Sequence, residues 1–368
     1  MRIKKEVRKI VASVLAFLMV VSLIPVNSLM TKANAASKTT FEGGKTVEDG
    51  TWKGWTWNVF GSSTDVTKAF ATDTGNGGVT LEVTGDKGKI NGSASDQGLN
   101  TFLYELDKSY DFTITAQAKV DTLAANAQAA FGLTIRDNVG AHGNTAKLTA
   151  DKNNFAFVGG YGNQAASGHG NAGYKTTALA HTRLGESPEV GGTYDLAIQK
   201  VGDSVKLYFN GEVAAECSAD DLITDNAMYV GLFAARNAKV TFNNVKLAYT
   251  QDSSSVKVTT NVTAPKKTTY CAGNTYEDVD LTGFKATVSV DGKEREITAS
   301  DCVVDMSNDP FAEVTDAGKL NLLYLGQTIE VPITVIKEVV SDMYIEYMPV
   351  KTDYMVCLLY TSDAADEL

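Results

Sequence analysis

The sequence predicts an all-β protein built from two β-sandwiches in series, and three observations carry that reading. Short runs of alternating or β-branched residues recur from residue 38 to residue 339, with no amphipathic helical pattern among them. Gly-Asp, Asn-Gly and Asp-Gly pairs fall between the runs, where tight hairpin turns need positive φ. The polar string Gln251–Ser255 (QDSSS) then reads as a linker that splits the runs into a long set and a short one.

Residues 38–250 form the larger unit. Its strand-like runs are Trp55–Phe60, Gly78–Thr84, Asp111–Val120, Ala129–Arg136, Thr193–Val201, Ser204–Phe209, Met228–Ala235 and Lys239–Tyr249. Turn signals stand at Gly85-Asp86, Gly202-Asp203 and Asn210-Gly211, and Tyr194–Val201 with Val205–Phe209 makes the clearest hairpin. About ten to twelve strands with no helix fit a two-sheet sandwich of jelly-roll type. Residues 256–339 form the smaller unit. Its runs lie near Lys257–Val262, Lys285–Val290, Arg295–Thr298, Leu320–Leu325 and Thr328–Val335, with hairpin turns at Asp291-Gly292 and Gly326-Gln327. About seven short strands in a unit of this length suit an immunoglobulin-like sandwich.

The two ends differ from this body. Arg2, Lys4, Lys5, Arg8 and Lys9 precede the apolar run Ile10–Val26, and Ala33-Asn34-Ala35 supplies a small-x-small cleavage pattern, so residues 1–35 read as a signal peptide. A retained anchor is the competing reading, but Ser13, Ser22 and Pro25 interrupt the run. The expected protein is secreted, with no membrane span after cleavage. At the other end, Pro265–Gly273 (PKKTTYCAG) and Pro349–Cys357 (PVKTDYMVC) share Pro, Lys, Thr and Tyr at a fixed spacing. That repeat predicts Gly at position 357 and meets Cys357. The string CLLYTSDAADE that begins there resembles a translated sequencing adapter, with a genuine polar tail as the alternative. Residues 340–356 are therefore expected to open a further copy, 357–368 to be an artefact, and the chain to be a fragment.

Charge narrows the partners. The formal charge of −11 becomes −16 once the six Lys/Arg and one acid of residues 1–35 are set aside. Nucleic-acid affinity rests on Lys and Arg neutralising phosphates, so nucleic acid is excluded as a partner. At 43% hydrophobic residues, wholesale disorder is excluded too.

Two resemblances follow from motifs. The pattern Pro265-x-Lys267-Thr268-x-Tyr270-x-x-Gly273, then Asp280-Leu281-Thr282-Gly283 and Val290-Asp291-Gly292, resembles group 3 bacterial immunoglobulin-like domains. That implies a tandem spacer or adhesive module on an exported Gram-positive protein. The runs Trp55–Gly61, Lys87–Ile90, Phe131–Asp137, Gly231–Asn237 and Val240–Val245 resemble concanavalin A-like lectin/glucanase domains attached to secreted pectate-lyase-type and glycoside-hydrolase proteins. That implies a sandwich able to bind polysaccharide, and describes a fold more than an activity.

The residues offer several candidate contacts and no catalytic signature. A retaining glucanase would carry alternating acids on one strand, with carboxylates about 5–5.5 Å apart, and no E-x-D-x-E run occurs. His142, His169 and His181 lack metal-ligand spacing, and G-x-S-x-G is absent. Asp151, Asn153 and Asn154 offer oxygen ligands that admit calcium, or they simply shape a loop. All three tryptophans cluster at Trp52, Trp55 and Trp57; they are core by strand parity or a stacking platform for sugar rings, with Trp52 expected to be the most exposed. Arg136-Asp137 and Arg236-Asn237 end two strands that carry Gly-Leu pairs. They read either as donor forks on a shallow concave face or as strand-end ion pairs. Gly159–Gly173, with Tyr161 and Asn163, reads as a binding loop or an idle one. Cys271 and Cys302 fall in one small unit where a disulfide is allowed by export, and Cys217 is expected to be a buried thiol.

The expected function is a non-catalytic carbohydrate-binding and spacer region acting on polysaccharide or cell-wall glycan. The alternatives are the N-terminal part of a polysaccharide lyase or glycoside hydrolase, and a surface adhesin or stalk.

Overall fold

A computed structural model describes residues 38–337 apart from 62–64, 91–96, 127, 147, 149–152, 162–170 and 177–187. The expected signal peptide, the expected further copy and the residues read as an artefact lie outside the described residues.

The larger sandwich starts with β1 (Thr39–Thr40), β2 (Trp55–Gly61), β3 (Ala69–Asp73), β4 (Val79–Val83) and β5 (Gly98–Asp107). It continues through β6 (Asp111–Leu123), β7 (Ala130–Arg136), β8 (Phe155–Tyr161), β9 (Ala172–Lys175), β10 (Thr193–Val201), β11 (Ser204–Phe209) and β12 (Glu212–Ser218). A single helical turn, α1 (Ala219–Leu222), precedes β13 (Ala227–Ala235) and β14 (Ala238–Thr250). Eight strands form one sheet in the order β1-β3-β4-β14-β6-β10-β11-β12, and six form the other as β2-β5-β13-β7-β8-β9. The fold is the jelly-roll sandwich that the strand pattern predicts.

Between the sheets lies one apolar core, and strand parity decides what enters it. Phe112, Ile114, Ala116 and Ala118 point inward from β6, opposite Leu133 and Ile135 of β7 and Val230 and Leu232 of β13. Asn100 is the polar exception. It accepts the Trp57 indole N–H at 2.7 Å and donates to the Phe70 and Glu82 carbonyls, so one amide ties the two sheets together. A buried amide is tolerated because all its hydrogen bonds are made.

Strands β5 and β8 were not legible because they are buried on both faces, which removes alternation. The Asn210-Gly211 turn joins β11 to β12 with φ of 47° and 79°, the left-handed pair a two-residue hairpin needs.

The smaller sandwich comprises β15 (Lys257–Thr263), β16 (Thr269–Cys271), β17 (Lys285–Val290), β18 (Lys293–Thr298), β19 (Val303–Asp305), β20 (Thr315–Tyr324) and β21 (Gln327–Ile336). A three-stranded sheet, β15-β17-β18, packs on a four-stranded one, β16-β21-β20-β19, around Phe284, Val288, Leu322 and Val331. The β20–β21 turn sits one residue earlier than the sequence suggests, on Leu325 and Gly326. Leu325 has φ 46° and is fully buried. Burying a leucine contributes about 1.5–3 kcal/mol, which offsets a left-handed cost of roughly 1–2 kcal/mol.

That turn is also a docking point. The Leu325 N–H donates to Thr113 Oγ1 at 3.1 Å, on the outward side of β6. Thr115 Oγ1 donates to the Ser300 carbonyl at 2.6 Å, and the Met306 N–H to the Gly211 carbonyl at 2.9 Å. Ala197, Tyr208 and Val303 form a small apolar seam between the units. The expected polar linker is itself folded: Asp252 caps the turn Ser253–Ser255, and the Ser253 carbonyl accepts from Gln327 Nε2 at 2.9 Å. The smaller sandwich is therefore seated on the outer face of the eight-stranded sheet.

Candidate functional site

The outer face of the six-stranded sheet, where the sequence suggests a shallow sugar platform, is filled. Phe60, Leu99, Phe155, Phe157 and Phe233 are all buried there, with Ile90, Val139 and Leu148 from the overlying loops packed against them. Arg136 is wholly buried in this layer. Its Nη2 donates to Gln97 Oε1 at 2.6 Å and to Asn153 Oδ1, and its Nε donates to the Asn138 carbonyl at 3.2 Å. The guanidinium carbon lies 5.4 Å from the Phe155 ring and 5.7 Å from Phe60. Burial pulls its pKa down to about 10, so it stays charged at neutral pH. It holds loops onto the sheet and meets no solvent.

Asp137 neither pairs with Arg136 as a fork nor faces outward. Its Oδ1 accepts the Asn154 backbone N–H at 2.9 Å, and its Oδ2 accepts Asn154 Nδ2 at 2.9 Å and Thr224 Oγ1 at 3.2 Å. Burial pushes its pKa up to about 6, against the opposing pull of Arg136. Of the calcium candidates, Asn153 spends its oxygen on a guanidinium, whose charge repels a cation, and Asn154 donates to Asp137. Asp151 lies outside the described residues.

The glycines of the two Gly-Leu pairs have a backbone cause. Gly132 and Gly231 adopt φ of 152° and 154°, and a Cβ on Gly132 would sit 2.0 Å from the Val158 carbonyl oxygen. They mark close strand approach: a Cβ on Gly231 would likewise meet the Phe102 carbonyl oxygen at 2.3 Å and the Trp55 indole at 2.9 Å. Arg236 and Asn237, with φ of 48° and 42°, form the corner that carries the chain from one sheet to the other. Arg236 Nε donates to the Gly88 carbonyl at 3.1 Å, and the Asn237 N–H to the Gly85 carbonyl at 2.8 Å.

All three tryptophans are core. Trp55 stacks on Phe102 at 5.2 Å, and Trp52, expected to be the most exposed of the three, is 4% exposed with its ring edge-on to both. Phe41 closes over it, which the sequence pattern does not reveal. Tyr161 is the last residue of β8, and Asn163 lies outside the described residues. Cys271 and Cys302 are free thiols, so the disulfide that export would allow between them is not formed. Cys302 is turned into the core with Sγ 3.6 Å from the Thr298 carbonyl, and Cys271 sits at the opposite edge beside the Asn274 turn. Cys217 is also free, and burial pushes it up to about 12, so it is no nucleophile.

Open concave surface is found instead where the two sandwiches meet. A cleft of about 520 Å³ lies between β6, β10 and β11 on one side and residues 276–281 and 299–304 on the other. A second hollow of about 590 Å³ shares Asn210, Tyr276 and Glu277 with it and runs on past Glu212 and Val213. The two adjoin along these residues and make one trough. Tyr276 is pinned there because its hydroxyl donates to Asp195 Oδ2 at 2.7 Å, while Asp195 Oδ1 accepts from Gln117 Nε2 at 3.2 Å. Burial and the Asp195 carboxylate keep the phenol protonated. Asn244 is lifted toward the cleft by a β-bulge in β14 between Asn243 and Lys246. None of these residues stood out in the sequence. The available signal was β6 itself, whose outward positions Thr113, Thr115 and Gln117 are polar but uncharged where an exposed strand usually carries charge.

No protein-family model matches the chain. It is 29% identical over 303 residues to pectate lyase L of Thermoclostridium stercorarium, a match covering 82% of this chain and 23% of that protein. The chain thus spans about a quarter of the length of this curated relative. Among solved structures, it is similar to lectin II from Ulex europaeus at 10% identity and TM-score 0.34, covering 57% of this chain and 97% of that one. The carbohydrate-binding module CBM66 from Bacillus subtilis gives 18% identity, TM-score 0.29 and coverage of 56% and 98%. An alginate lyase of polysaccharide lyase family 7, AlgAT5, gives 11%, 0.32, and coverage of 50% and 82%.

Proposed function

We propose that this chain is a non-catalytic polysaccharide-binding and spacer region of an exported protein that acts on or adheres to polysaccharide. One observation supports the reading above others. The similarity to pectate lyase L runs for 303 residues, longer than residues 38–250, so it must take in both sandwiches while covering under a quarter of that protein. A two-sandwich unit of this kind is then a piece carried alongside other segments. The interlocked junction supports the same view, because Leu325, Ser300 and Met306 bind the outer face of the larger sandwich directly.

The one described carboxyl shifted toward a general acid's range, Asp137, is buried with both oxygens occupied, and is spent on holding a loop. The relative's name favours a second reading, in which the chain belongs to a polysaccharide lyase whose catalytic portion lies elsewhere. Affinity electrophoresis of the full chain against a panel of plant and microbial polysaccharides tests the first reading. Retardation by at least one is expected, and retardation by none would overturn it. Release of unsaturated oligosaccharides by this chain alone would overturn the non-catalytic assignment.

A further inference from the structure

We infer that the trough between the two sandwiches is the glycan site, and that it takes a linear neutral polysaccharide in preference to a uronate polymer. The inference rests on the polysaccharide-binding reading above and adds its place and its ligand class.

Shape is the first argument. Two hollows of about 520 and 590 Å³ meet end to end at Asn210, Tyr276 and Glu277. Two adjoining open hollows suit an extended chain lying along them better than a compact ligand in a closed pocket. The second argument is hydrogen-bonding chemistry. Thr193, Asn244 and Glu277 are exposed along it, and Gln117 is half-buried. Hydroxyl, amide and carboxylate groups are what paired sugar hydroxyls need, since each hydroxyl both donates and accepts. Tyr276 and the exposed Val213 supply apolar surface for the C–H faces of the rings.

Charge decides the ligand class. The described lining of both hollows contains Asp195, Glu277 and Glu212 and neither Lys nor Arg. A uronate polymer would bring a carboxylate on every residue toward these acids with no cation in the described lining to receive it. At close range in a partly desolvated trough such like-charge contact is unfavourable. The large sandwich does hold a buried arginine, Arg136, but its guanidinium is sealed under loops on the other sheet. The ligand class therefore departs from the one in the relative's name.

The test uses the full chain in affinity electrophoresis and calorimetry, with xylan, mixed-linkage β-glucan and galactan as neutral probes and polygalacturonate as the anionic one. Binding to a neutral probe is expected, with polygalacturonate at least about tenfold weaker. Thr193→Trp, which fills the trough from an exposed position, should weaken neutral binding by roughly tenfold or more without moving the melting temperature. Should that variant misfold, Glu277→Lys gives an independent reading: it should leave the fold intact and raise affinity for polygalacturonate. Neutral binding untouched by Thr193→Trp, or polygalacturonate binding untouched by Glu277→Lys, would overturn the trough while leaving the polysaccharide reading standing. Polygalacturonate bound as well as the neutral probes would overturn the ligand class. Binding to no polysaccharide would overturn the reading beneath both.

Discussion

The outer faces of the two sheets in the larger sandwich differ in what covers them. The six-stranded sheet is covered by the chain's own loops, and beneath them Phe155, Phe157, Phe233 and Arg136 fill the space completely. The eight-stranded sheet is covered by a separately folded sandwich, touched at Thr113, Thr115, Tyr208 and Gly211, with a trough left between the contacts. Loops of any length can adapt until a face reaches interior packing density, whereas two preformed bodies meet at points. Open, ligand-sized space accordingly collects at domain junctions. The comparison teaches that a Gly-rich strand ending in arginine does not by itself mark a binding face.

The largest expected effect lies on the closed face. Arg136→Ala removes the donor that satisfies Gln97 and Asn153 and leaves a hole among phenylalanines, and should cost about 3–5 kcal/mol. Urea unfolding followed by tryptophan fluorescence reads it directly, since all three indoles lie in the core of the same sandwich. A loss under about 1 kcal/mol would mean this face is looser than described.

Next comes the pH dependence of the same face. Burial raises the Asp137 carboxyl to about 6 when folded, against 3.8 for the free group. The folded state therefore holds this proton more tightly than the unfolded chain does. The stability it contributes is full below pH 3.8, declines as pH rises, and is gone above about 6, a change of order 2–3 kcal/mol. Asp137→Asn should flatten the stability profile across that window, and an unchanged slope in the variant would assign the dependence to another group.

Gly132→Ala follows, at about 1–3 kcal/mol, because φ of 152° is strained for alanine and its Cβ would strike the Val158 carbonyl. A neutral result would show that strands β7 and β8 can separate locally. The smallest effect is on the open face. Tyr276→Phe deletes one hydrogen bond to Asp195, worth about 1 kcal/mol of docking. It should speed proteolysis near Gln251–Ser255 while leaving urea unfolding of the larger sandwich unmoved.

Much of the fold was legible because half-buried strands alternate. Thr193–Val201 and Ser204–Phe209 were readable to the residue, as were the hairpin turns at Gly202-Asp203 and Asn210-Gly211. The doubly buried strands β5 and β8 were not, and neither was Leu325 as a turn residue, since only tertiary burial offsets its left-handed strain. The site was less legible than the fold. Arg136 looked available because sequence shows a charge but not the loops that close over it, and Arg236 because sequence does not show the Gly88 carbonyl that its Nε meets. Asp195, Asn210, Tyr276 and Asn244 converge from distant parts of the chain, and no local motif announces a junction between two units. The folded Ser253–Ser255 turn was hidden for the same reason, because its polar composition matches that of a flexible linker.

Hydrogen–deuterium exchange of the full chain, with and without a saturating neutral oligosaccharide, compares the two faces in one measurement. Slowed exchange at 210–214 and 275–281, on both walls of the trough, is the predicted result. Slowing confined to 85–90 and 137–146, the loops over the six-stranded sheet, would place the glycan on the face described here as closed and contradict the account.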